Sequence, residues 1–295
     1  MVNKIKKFFN ETNLTWGKLI IFAVVTGIYT GIMAALSIAE NTSFADISIS
    51  FEWWILFGVF IILSSKSPLD SGLKCFVFFL ISQPLVYLVQ ILFFHADWRI
   101  FSYYKIWFIW TLFTFPMGFI GHFIKKNKWW GLLILTPILV FVGDHYASFL
   151  TETISAFPYH LLSTVFCAVT LFLYPVAAFD HKKIRNTGLI ISAVILIAGT
   201  VISIASDHTF YSTVILYSDE NDVYFDESYT AELEDASYGT VSIEYDAELE
   251  SCMISAEFKK PGQTLLIITS PDGDTTEYNL MIAKNTYDLM PLNQQ

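Results

Sequence analysis

Charge is what this 295-residue chain has least of: 15 % of its residues are Asp, Glu, Lys or Arg, while 54 % are hydrophobic. A water-soluble domain ordinarily carries about a quarter charged residues. One large soluble core is therefore excluded, and several apolar spans are expected. Basic residues nearly vanish from the last third. From Asp207 onward, 18 acidic residues stand against three basic ones, Lys259, Lys260 and Lys284. That part repels nucleic acid and anionic lipid, so neither is expected to bind it. Cysteine is scarce as well. Cys75 and Cys167 lie in apolar runs and Cys252 is alone in the acidic part, which excludes a disulfide within that part and any thiolate metal site. Neither a Gly-x-Ser-x-Gly nor a His-Glu-x-x-His motif occurs, so two common classes of hydrolase lack their signature. No catalytic residue, metal or cofactor is expected.

What is present is a series of long apolar runs. After a lead of residues 1–18 with Lys4, Lys6, Lys7 and Lys18, runs at 19–38, 49–63, 75–94, 106–124, 129–150, 157–179 and 188–206 read as seven membrane spans. About 20 apolar residues cross the ~30 Å hydrocarbon core as a helix. Ser37-Ile38-Ala39 before Glu40 has the small residues of a signal-peptidase site. The apolar run ahead of it exceeds the about 7–15 residues of a signal peptide, so an uncleaved span is favoured. Gly27, Gly31 and Ala35 form a small-residue row that lets another helix approach closely. Trp53 and Trp54 suit the headgroup level. Pro84, Pro116, Pro137, Pro158 and Pro175 fall in or beside spans and suggest kinks, which neighbouring helices can accommodate.

The loops orient this bundle. One side carries 12 basic residues: Lys4, Lys6, Lys7, Lys18, Lys66, Lys74, Lys125, Lys126, Lys128, Lys182, Lys183 and Arg185. The other carries Arg99 and Lys105. The positive-inside rule places the N-terminus in the cytoplasm, and seven spans then put everything after Asp207 outside. The basic run Lys182–Arg185, the last span and Asp207 form the junction between a seven-span domain, residues 19–207, and an outer domain, residues 208–285. A loose tail, 286–295, follows.

In the outer part, apolar and β-branched segments recur at 212–217, 223–225, 229–233, 240–245, 252–258, 264–269 and 276–283. Val241, Ile243 and Tyr245 alternate with polar neighbours, as do Tyr278, Leu280 and Ile282, which is the period of half-buried strands. Pro261-Gly262 and Pro271-Asp272-Gly273 mark turns. Seven short strands in this length predict a small all-β sandwich. The segment FKKPGQTLLIITSPDGDTTEYNLMIAKN, residues 258–285, resembles the last strands of bacterial immunoglobulin-like domains of group 2. That resemblance covers about a quarter of the chain and rests on turn and core residues. It implies a spacer or adhesive module on a bacterial surface and identifies no binding residue. The membrane part resembles no family of known activity.

Two polar groupings stand out. Glu52, His95, Asp144, His145 and His160 share a depth near the outer ends of spans, where they would form an outward-facing proton or cation site or, on the plainer reading, an interfacial ion pair or polar cap. Gln83, Tyr87 and Gln90 are spaced i, i+4, i+7 and face one way, either bonding between helices or lining a cavity. Gly143-Asp144 resembles the Gly-Asp of intramembrane aspartyl proteases. No second aspartate lies in a span interior to share the proton, which argues against an intramembrane enzyme. His122 and His181 read as interfacial residues.

The expected function is that of a bacterial cell-envelope membrane protein whose outer Ig-like domain, residues 208–285, meets an envelope protein or glycan. The alternative is a small-molecule transport or substrate-binding subunit. In size and style the bundle resembles the vitamin-binding subunits of energy-coupling transporters, from whose usual six spans it departs.

Overall fold

The computed structural model describes residues 2–39, 41–126, 128–205, 211–218, 223–283 and 286–292. The expected junction at Ser206, Asp207 and His208 lies outside them. Nine helices, α1 (Val2–Glu11), α2 (Trp16–Ala35), α3 (Ser43–Ile49), α4 (Phe51–Ser64), α5 (Pro68–Phe94), α6 (Tyr104–Gly121), α7 (Trp129–Ser155), α8 (Leu161–Ala178) and α9 (Lys182–Ala205), are described, with three 3₁₀ turns among them. Seven strands follow: β1 (Tyr211–Tyr217), β2 (Thr230–Leu233), β3 (Gly239–Asp246), β4 (Ser251–Phe258), β5 (Gly262–Thr269), β6 (Thr275–Ile282) and β7 (Tyr287–Pro291). The chain divides into a helical unit and a second unit made of the strands with residues 41–42 and 151–160.

Seven segments of the described chain are long and apolar enough to cross a membrane, with α3 and α4 together forming one of them. The helical unit is that of a multi-pass membrane protein, and its surface says the same. On α9, Ile190, Val194, Ile197, Val201 and Ile204 are about 60 % or more exposed, while the buried face holds Gly188, Ser192, Gly199 and Ser203. Such a pattern would be inverted in water; in lipid, small and hydroxyl residues make the helix contacts. Ser192 Oγ donates to Leu171 O and Ser203 Oγ to Ala147 O, both at 2.6 Å. Tyr146 and Thr200 share a 3.0 Å hydroxyl bond.

The expected glycine row does pack. A Cβ on Gly27 would stand 2.6 Å from Ser82 O, and one on Gly31 would stand 2.7 Å from Val86 O, so α2 lies directly on the backbone of α5. Ala35 at the end of the row is only half-buried. Basic residues gather at one end of the bundle. Lys6 Nζ bonds Phe179 O (2.8 Å) and also Asp180. Asn10 bonds Ala177 O, Ser64 bonds Phe9 O and Lys125 bonds Ser65 O.

Several boundaries differ from the sequence reading. The sixth span begins at Leu161, so Pro158 precedes it. The third begins at Pro68, where Ser67 caps the helix and Pro68 suits its first turn, so Lys74 is a buried helical residue paired with Asp70 at 2.8 Å rather than a loop charge. Trp54 does not sit at a headgroup level. It is 3 % exposed and packs on Phe57, Phe78 and Phe79, because the first turn of α4 faces α5.

The β unit has two antiparallel sheets, β1-β4-β3 and β2-β5-β6-β7. Alternate residues of the inner strands (Ile254, Ala256 and Phe258; Leu266 and Ile268; Tyr278, Leu280 and Ile282) fill one shared core. This is the sandwich that the period-2 pattern implied. Ala156 and Tyr159 of the same unit pack on that core. Residues 223–225 form no strand. Phe225 plugs the core, and its N–H is taken by Ser218 Oγ at 3.1 Å instead of a ladder partner. The tail is not loose throughout: β7 pairs with β6, Leu289 opposite Leu280. Gly273, at φ +91°, closes the β5–β6 hairpin as expected.

Replacing Gly31 by Leu is expected to destabilise the helical unit by about 1–3 kcal/mol, because α2 must back away from α5. Thermal unfolding of the detergent-solubilised protein measures it.

Candidate functional site

Glu52 and His145 are the two sequence-selected residues that the fold brings together. His145 Nδ1 meets Glu52 Oε1. The carboxylate is 0 % exposed, and its second oxygen has no hydrogen-bond partner among the described residues. Glu52 is not at the outer end of its span, as its place in run 49–63 implied. The helical segment already starts at Ser43 and ends at Ser64, so Glu52 is near its middle. His145 likewise sits well inside α7, ~24 Å from Trp129 and ~15 Å from Ser155 at 1.5 Å per residue.

A break in the backbone delivers Glu52 to this position. Ser50 is extended (φ −71°, ψ 155°) and separates α3 from α4, so a helix begins inside the crossing segment. Glu52 lies in the first turn of α4, where free N–H groups and the helix dipole favour a negative charge. Ser50 Oγ and Trp53 Nε1 are buried without a hydrogen-bond partner among the described residues. The imidazole ring is flanked on its own helix by Phe141 and Phe149, with centroids at 4.7 and 6.2 Å. Behind the pair, Cys167 and Tyr174 of α8 are fully buried and close enough to feel the charge of Glu52. Asp46 of α3 is close enough to affect Cys167 and accepts a 2.7 Å bond from Ser163.

The other three members of the expected outer site go elsewhere. Asp144 is exposed although it neighbours His145, because successive helical residues diverge by about 100°. His95 is the exposed, left-handed C-cap of α5, its N–H bonded to Gln90 O. His160 belongs to the β unit's part of the chain and pairs with Glu152 at 3.3 Å. Sequence depth alone could not separate these five, since it carries no azimuth.

The Gln83 stripe divides in three ways. Tyr87 is buried and packs edge-on against Phe101, with ring centroids 6.1 Å apart. Gln90 Nε2 donates to Val86 O of its own helix at 3.1 Å. Gln83, 3 % exposed, leaves its Nε2 without a partner among the described residues.

The β unit adds a feature that sequence reading missed, an open cleft of about 600 Å³. Asp226, Glu227 and Glu250 line it beside Tyr224 and Tyr245, and Cys252 lies at its edge. Burial pushes the Cys252 thiol up, with the nearby carboxylates adding to the effect. Hydrogen bonds from Ser228 hold Asp226 below the usual carboxylate range.

No family model, no curated protein and no solved structure matches this chain.

Replacing His145 by Leu strands a buried carboxylate and is expected to cost up to about 3–5 kcal/mol, much of it recovered when Glu52 is also made Leu. Asp144→Asn should change stability by less than about 0.5 kcal/mol. Unfolding curves of the four proteins decide it.

Proposed function

We propose that the protein is a bacterial cell-envelope membrane protein with its N-terminus in the cytoplasm and its β unit outside, where the β unit serves interaction or spacing. The supporting observation is that seven crossing segments are joined to a β unit with its own closed two-sheet core. Such a unit can project from the membrane as a module. The grouping of Lys6, Lys125 and their carbonyl partners at one end of the bundle favours a cytoplasmic placement of that end. The resemblance of residues 258–285 to group 2 Ig-like modules points the same way, toward an envelope protein or a glycan as partner.

A second reading, a small-molecule transport subunit, is favoured by the helix break at Ser50 and the unpartnered amide of Gln83. Helices interrupted near the bilayer midplane are a recurring way to build substrate sites in transporters.

All three cysteines are buried, so an Asp272→Cys variant offers a clean handle in an exposed turn. A membrane-impermeant maleimide should label it on intact cells; labelling only after permeabilisation would reverse the orientation. Removing residues 208–295 should abolish cross-linking to an envelope partner. For the second reading, Gln83→Leu should abolish uptake while Gln90→Leu, whose amide is already spent on its own helix, should leave it intact.

A further inference from the structure

We propose that Glu52 and His145 form a proton-binding site inside the membrane-crossing bundle, with the proton as ligand. The inference goes beyond both functional readings and depends on neither.

A lone charged carboxylate in an apolar interior is strongly disfavoured, even after relaxation by several kcal/mol. Glu52 is fully buried near the middle of a crossing segment, where ionisable side chains are rare and mark ion or proton pathways. Among the described residues, the imidazole of His145 is the one basic group that meets it. The cations of neighbouring elements are committed elsewhere: Lys6 of α1 to Asp180, Lys74 of α5 to Asp70, and Lys125 after α6 to Ser65 O. Lys105 starts α6, and Lys182, Lys183 and Arg185 start α9. On α8, the buried Cys167 and Tyr174 lie within electrostatic reach of Glu52, and Asp46 of α3 within reach of Cys167. Each of these can only add negative charge.

Carboxylate and imidazole share one proton and are then neutral as a pair, whichever atom holds it. Losing that proton leaves a buried anion. Gaining a second places an O–H on Glu52, opposite an imidazolium, and turns an unpartnered acceptor oxygen into a donor or a proton carrier. The pair has three protonation states of different net charge, and among the described residues no lysine or arginine meets it to lock it in one. The helix start at Phe51 is what makes the site tunable. The N-terminal dipole of α4 favours the carboxylate, whereas the neighbouring acidic groups favour the acid. Proton binding is thereby tied to the contact between α4 and α7, which this pair spans.

Infrared difference spectroscopy of the full-length protein in lipid vesicles tests this. On acidification, one carboxylic acid C=O band should appear that is missing in Glu52→Gln, an isosteric change. In His145→Gln, which keeps Glu52, the same band should appear at a pH displaced by about one unit or more, a tenfold change in proton affinity. An acid band identical in wild type and Glu52→Gln would overturn the proposal. So would a band whose midpoint His145→Gln leaves unmoved. Either variant decides the matter if the other does not fold. Loss of uptake in Gln83→Leu, or of cross-linking in the truncated chain, bears on the functional readings and leaves this result untouched.

Discussion

Helix contact at backbone distance is the constraint on which the helical unit depends. Lipid tails are as apolar as leucine, so burying leucine against leucine gains little in a bilayer, and helices must adhere by close approach and hydrogen bonds. The fold shows this at several seams. Gly27 and Gly31 seat α2 on α5, and a Cβ at Gly72 or Gly118 would crowd Phe115 O or Cys75, so α5 and α6 are as near. Ser71 crosses that second seam to Gly118 O at 2.8 Å. Ser192 and Ser203 do the same for α9. On α9 the large branched residues Ile190, Val194, Ile197, Val201 and Ile204 are left to face outward.

Such tight seams limit where ionisable groups can go. Lys6, Lys18, Lys74, Arg99 and Lys125 are bound to carbonyls or carboxylates near helix ends, where they reinforce the packing. Glu52 is the departure from this scheme. The break at Ser50 puts it at the start of a helix but in the middle of a crossing segment, among aromatic rings rather than lysines. A residue that costs stability at such a place and is met by a histidine invites a functional explanation more than a structural one.

The number of crossings, the strand period and the glycine row were legible because each is a repeat along the chain: about 20 apolar residues, alternation by two, spacing by four. Glu52 and His145 were both picked out, but with three residues that do not join them. Apolar length locates a residue along a helix and says nothing of which way it points. The start of the second span was misjudged because residues 43–48 include Ser43 and Asp46, which lower the hydropathy without stopping the helix. Phe225 was taken for a strand residue since a core plug and a short strand have the same composition. Strand β7 was missed because its pairing with β6 is a long-range fact that Tyr287–Pro291 alone does not signal.

The outer strands of the two sheets have a consequence of their own. A protein confined to a membrane is crowded in two dimensions, and any open strand edge on its β unit would meet copies of itself repeatedly. Each of the four edges is blunted differently. β1 carries an irregularity between Val214 and Leu216, and β2 is four residues long with Glu232 at its centre. β3 bears Glu244, and β7 bears Asp288 and ends at Pro291. These are the devices that stop sheets from extending into one another. Growth of one β unit's sheets into another's is thereby opposed at every edge, so copies crowded in a bilayer can stay separate molecules.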